Sequence, residues 1–99
     1  MAITETQIDK RARMTILAKG FQVLTHAPGI DPWDAEKLDE WAASGANNAE
    51  RHAAAFVLHV WNSYGQWQVG RFDVMAALSV WDEVNRKPFI EWAMNPHWE

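Results

Sequence analysis

The side chains able to do chemistry are few in this chain, and their spacing argues against catalysis. His52 and His59 lie seven residues apart in an alanine-rich stretch. On a helix rising 1.5 Å per residue that separation is about 10 Å, too far for both to hold one metal ion. No His-x-x-x-His pair occurs and there is no cysteine, so neither a helical zinc site nor a thiolate site is encoded. Ser44, Ser63 and Ser79 stand in no Gly-x-Ser-x-Gly elbow, and the glycines form no phosphate-binding loop. Asp73, Asp82 and Glu83 offer a carboxylate pair, but neighbouring acids on a helix are ordinarily solvated. His59, inside the apolar run, reads as a core histidine held by a hydrogen bond. The expectation is a protein without catalytic residues, metal or cofactor.

Binding chemistry is better represented. Seven tryptophans, Trp33, Trp41, Trp61, Trp67, Trp81, Trp92 and Trp98, occur in 99 residues. A packed aromatic ring buries roughly 150–250 Å², which helps so short a chain to fold. Trp61, Tyr64 and Trp67 cluster around a turn-rich segment. They either cap one end of a helical bundle or form a recognition patch, since Trp and Tyr dominate interface hot spots. Trp67 lies between two glutamines and near Gly65 and Gly70, so its ring is expected to point outward and to matter least for folding.

Charge is concentrated in one place. Residues 31–43 hold Asp31, Asp34, Glu36, Asp39 and Glu40 against Lys37 alone, which accounts for the whole net charge of −4. This segment is either a solvated helix face or an acidic contact for a basic partner. Asp34, Glu36, Asp39 and Glu40, with Trp61, Tyr64 and Trp67, are therefore the candidate binding residues. Lys10, Arg11, Arg13 and Lys19 form a shorter basic stripe. Direct nucleic-acid binding is not expected: such domains have a pI above about 9, and this one is near 5.5. No membrane span is expected either, because the longest apolar run, residues 53–58, is six residues. A start without a signal-peptide pattern and an absence of cysteine suit the reducing cytoplasm.

The elements that must position these residues all read as helices. The expected architecture is all-α, one domain over residues 1–99, with four main helices and a short C-terminal fifth. Thr4-Glu5-Thr6-Gln7 has the form of a capping box. Behind it run two edges of a stripe, Ile8, Ala12, Ile16 and Val23 on one side and Met14, Leu17, Phe21 and Leu24 on the other, to about Thr25. Gly20 inside that stretch suggests a close helix crossing. Asp31-Pro32 signals the start of a second helix, with Leu38, Trp41 and Ala42 inward and Ser44-Gly45 at its end. Asn47 to Glu50 opens a third, apolar on nearly all sides and hence central. Residues 62–70 form the one real loop. A fourth helix runs from about Phe72 to Arg86, with Asp73 as cap. Pro88 opens the fifth, which faces Phe89, Trp92 and Ala93 inward and ends at Asn95-Pro96, leaving a docked segment with Trp98. Phe56, Val60, Leu78 and Trp81 are the expected deep core.

The stretch Gly70-Arg71-Phe72-Asp73-Val74-Met75-Ala76-Ala77-Leu78, then Trp81-Asp82, Phe89-Ile90-Glu91-Trp92-Ala93 and a Pro-x-Trp ending, resembles small proteins of proteobacterial phages and integrative elements. It covers roughly the last third of the chain. Such proteins include anti-CRISPR inhibitors, so the resemblance implies non-catalytic binding to a host nucleoprotein defence complex. CRISPR effectors expose basic channels, to which an acidic helix is complementary. Two other classes compete with this one: a small-ligand module using the Trp/Tyr loop, and a homodimer with a tryptophan seam.

Overall fold

The computed structural model describes the backbone from Glu5 to Glu99 and the side chains from Asp9 onward. Thr4 and its capping box lie outside the described residues, as does the Ile8 side chain. Among the described residues five α-helices follow one another: α1 (Glu5–Gly20), α2 (Ala35–Ser44), α3 (Asn48–Trp61), α4 (Val74–Val80) and α5 (Glu83–Met94). The fold is all-α, as the periodicity indicates.

Helix α3 is the axis of the molecule. Asn47 and Glu50 form a reciprocal capping box at its start, Asn47 Oδ1 accepting from Glu50 N (2.9 Å) and Glu50 Oε1 from Asn47 N (2.8 Å). Ala53 to Leu58 and Val60 are all buried, and α1, α2 and α4 pack around them. Small alanine side chains let the neighbouring helices approach closely. Phe56 fills the space beyond them, with the rings of Phe21, Phe72, Phe89 and Trp92 around it at 5.1–5.7 Å between centroids. Edge-to-face contacts of this kind add to simple area burial. Trp81 completes the cluster, and its indole N–H donates to the Ala49 carbonyl (3.0 Å).

Several boundaries differ from the sequence expectation. Helix α1 stops at Gly20, not Thr25. Phe21 turns extended (φ −84°, ψ 116°), which drops its ring into the core, and a 3-10 turn over Gln22–Leu24 follows. The buried Asn85 carboxamide holds that turn by accepting from Val23 N (3.1 Å). Of the two expected edges, only the Met14, Phe21 and Leu24 side is deeply buried, whereas Ala12 and Ile16 are exposed. Gly20 does mark a close crossing. A Cβ there would sit 3.2 Å from the Pro88 Cβ of α5.

Helix α2 is capped by Asp34, which accepts from Lys37 N, and not by Asp31. Ile30 and Trp33 form a β-bridge on either side of Asp31-Pro32, burying both flanking side chains and delaying the helix by three residues. Gly29 makes this possible. Its φ is +83°, and a Cβ would lie 2.5 Å from the Asp34 carbonyl.

The fourth and fifth helices divide at Trp81-Asp82 rather than at Pro88, so the short helix is α4. Trp81 (ψ 140°) breaks the backbone to place its indole, and Asp82 caps α5 by accepting from Asn85 N and Asn85 Nδ2 (3.0 and 2.8 Å). Those hydrogen bonds hold the Asp82 carboxyl below its ordinary range. Pro88 lies inside α5. It forfeits one backbone hydrogen bond but packs on Gly20. Leu78 is only partly buried, unlike Phe56, Val60 and Trp81, and Ala93 is exposed.

Residues 96–99 fold back over the bundle. The Trp92 indole donates to the His97 carbonyl (2.8 Å), Glu99 N donates to the Val60 carbonyl (2.9 Å), and Arg13 makes a two-pronged contact with the Glu99 carboxylate (2.7 and 3.0 Å). The guanidinium holds the Glu99 carboxyl below its ordinary value, and Glu99 raises Arg13 in turn.

Candidate functional site

The loop between α3 and α4, residues 62–73, organises the surface. Two devices shape it. The Trp67 indole folds back over Gly65 and donates to the Asn62 carbonyl (3.2 Å). A Cβ on Gly65 would lie 2.9 Å from Trp67 Cε2 and Nε1, so only glycine admits the ring. The second device is Asp39, whose two carboxylate oxygens accept from Gln68 N (3.0 Å) and Val69 N (2.9 Å). Asp39 is only 6% exposed. It belongs to the loop's foundation, which corrects its place in the expected acidic contact surface.

The other candidate residues are distributed as follows. Asp34 caps α2 and is half-buried; Glu36 and Glu40 are exposed. Trp61 is half-buried, its ring 5.7 Å from that of Trp33. Tyr64 is 96% exposed. Trp67 is half-buried and packs on the core, which corrects the expectation of an outward-pointing ring free of any folding role. Its position between glutamines suggested solvent. The close approach to Gly65 and the hydrogen bond to Asn62 hold it down instead.

Two concavities meet at Trp67. The first, about 370 Å³, is lined by Arg11, Trp33, Asp34, Ala35, Glu36, Trp61 and Trp67. It unites the start of the acidic helix with two of the loop-associated aromatics. Arg11 closes one side, its guanidinium 6.0 Å from the Trp61 ring centre and donating to the Trp33 carbonyl (3.1 Å). That distance is within cation–π range. The Trp33 indole N–H is buried there without a hydrogen-bond partner among the described residues, an arrangement that costs about 1–3 kcal/mol.

The second concavity is a groove of about 690 Å³ on the other side of the loop. Its walls include His59, Tyr64, Gln66, Trp67, Arg71 and Trp98. At its inner end an apolar notch of about 250 Å³ continues past Phe72 to Val74, Phe89 and Trp92. No carboxylate lines either part. No family model, curated protein or solved structure matches this chain. The site's chemistry must be read from its own residues.

Several of the reactive side chains are already engaged within the fold. Asp73 and Asp82 each cap a helix, so their carboxylates are committed to backbone amides. His59 Nδ1 donates to the Ala55 carbonyl (2.7 Å), which ties the ring to its own helix. Among the described residues no three His, Asp or Glu side chains gather as metal ligands, and no helix is long and apolar enough to cross a membrane. Sequence reasoning missed Arg11, Trp33, Arg71, Phe72 and Trp98 as wall residues. The Gly70-Arg71-Phe72 run directly after the aromatic turn was the available signal for two of them.

Proposed function

We propose that this protein is a non-catalytic interaction module. It receives a basic surface of a partner in the concavity bounded by Asp34, Glu36, Trp61 and Trp67. The observation that carries this reading is that convergence: the acidic and the aromatic segments, 25 or more residues apart in sequence, wall one hollow. Glu36, exposed beside indole walls, suits an arginine side chain, which pairs with the acid and stacks on a ring, while Asp34, engaged as the α2 cap, adds its negative charge. Glu40, one turn beyond Glu36 and exposed, extends the same charge toward solvent and would speed encounter with a positive surface. The resemblance of the last third to phage and integrative-element proteins gives the partner class: a host nucleoprotein defence complex, engaged as an anti-CRISPR inhibitor engages its target.

The test is affinity capture from a bacterial lysate with wild-type protein and a Glu36→Lys/Glu40→Lys variant side by side. Asp34 and Asp39 stay in place because the fold uses them. Wild type should enrich basic, nucleic-acid-handling proteins that the variant loses, and affinity for the purified partner should fall steeply as salt rises. Equal capture by both proteins, or salt-independent affinity, would refute the reading.

A further inference from the structure

We propose that the carboxylate-free groove is a second binding site, separate from the acidic concavity, for a flat aromatic compound carrying an anionic group. Its ring would enter the notch between Phe72, Trp92 and Trp98, and its anionic group would meet Arg71.

Four observations lead there. The groove and notch are continuous, sharing His59, Phe72 and Trp98 as common wall. The groove, about 690 Å³, falls in the range of small-molecule sites, and the notch of about 250 Å³ extends it. The notch is almost wholly apolar, so it favours the hydrocarbon face of a ring, with the guest's polar atoms left toward the groove. Its walls are ring faces and edges, with Trp98 standing edge-on to Trp92 at 5.2 Å between centroids. A slot of that kind accepts a planar guest in stacked or edge-to-face contact.

The sign of the guest follows from the groove's charges. Arg71 lines it and makes no hydrogen bond or ion pair among the described residues. His59, held through Nδ1 on the Ala55 carbonyl, lines the same wall. Gln66 and Ser63 add neutral donors and acceptors. A cationic guest would find no counter-charge, whereas an anion finds a guanidinium with its fork geometry unoccupied. Aromatic carboxylates and nucleoside monophosphates share this chemistry.

The experiment is calorimetric titration of the intact protein with indole-3-acetate, indole-3-acetamide and adenosine monophosphate, followed by NMR of the indole N–H signals. Saturable binding of at least one anion, shifting the Trp98 and Trp92 signals, is expected. Indole-3-acetamide, which lacks the charge, should bind roughly tenfold more weakly than indole-3-acetate. Arg71→Gln should remove the preference for the anion, and Trp98→Ala should abolish binding. Arg71 is exposed, so an unchanged melting temperature certifies folding of Arg71→Gln; Trp98 also packs on Trp92, so Trp98→Ala is read beside its melting temperature. Preference for indole-3-acetate assigns the site to carboxylates, and preference for the nucleotide assigns it to phosphates. Absence of saturable binding, equal affinity for the amide, or indifference to Arg71→Gln would overturn the proposal. So would a stable dimer whose seam protects Trp98, because a second copy would then fill the groove. The Glu36→Lys/Glu40→Lys variant should bind these probes as wild type does, which separates this proposal from the acidic-concavity reading.

Discussion

The two hollows on either side of Trp67 are made from the same material and differ in sign. Both have indole walls and both use the loop over residues 62–73. One adds Asp34 and Glu36 against Arg11, a net negative charge; the other adds Arg71 as its charged residue. Aromatic rings give area and shape with little sign preference of their own, so a few charged residues decide what each hollow can receive. The comparison also separates foundation from surface. Asp39 belongs to the acidic helix by sequence but works inward, clamping Gln68 and Val69, and so supports both hollows without presenting charge in either.

The largest effect should come from the shared floor. Phe56→Ala removes the ring around which Phe21, Phe72, Phe89 and Trp92 are arranged. It should cost about 3–5 kcal/mol in chemical denaturation, enough to unfold much of a marginal domain. A loss under about 1 kcal/mol would mean the two hollows do not rest on one core. Next comes Asp39→Ala, which strands two loop amides and should cost roughly 2–3 kcal/mol. Hydrogen exchange should speed up at Gln68 and Val69. Unchanged protection there would remove the clamp from the account.

Trp67→Ala is expected to cost about 1–2 kcal/mol, because the ring is half-buried and hydrogen-bonded to Asn62. Trp67 is the one side chain that lines both hollows, so loss of binding at only one would break the symmetry of the comparison. Acidification should loosen the C-terminal segment that walls the second hollow. Glu99 lies below its ordinary value because Arg13 pairs with it. Its contribution is complete at pH values above the usual glutamate range, near 4.3, and is lost as pH falls through and below that range. The Trp98 indole signal should therefore move toward a solvent-exposed position in acid before the fold is lost, while the Trp61 signal holds. Tyr64→Ala should be the mildest change, within about 0.5 kcal/mol of wild type in stability, since that ring is almost fully exposed.

The sequence made the helical class and the central place of α3 legible because both rest on local patterns. Asn47 with Glu50, Asp73 before Val74, and the alanine run all did what their types favour. The misplaced boundaries share one cause. Trp33, Phe21 and Trp81 each leave helical geometry to bury a large ring, and tertiary burial outweighed the local signals at Asp31, Thr25 and Pro88. The site was half legible. Residue type marked acids and aromatics, but only the fold shows that Asp39 faces the loop, that Trp67 lies on Gly65, and that Trp98 and Arg71 share a wall.

The most direct test of the acidic hollow is titration of a short arginine-rich peptide into wild-type protein at low salt, read from the indole N–H resonances. The account predicts saturable shifts at Trp61 and Trp67, none at Trp92 or Trp98, and their loss in the Glu36→Lys/Glu40→Lys variant. Shifts confined to Trp92 and Trp98, or equal shifts in the variant, would contradict it.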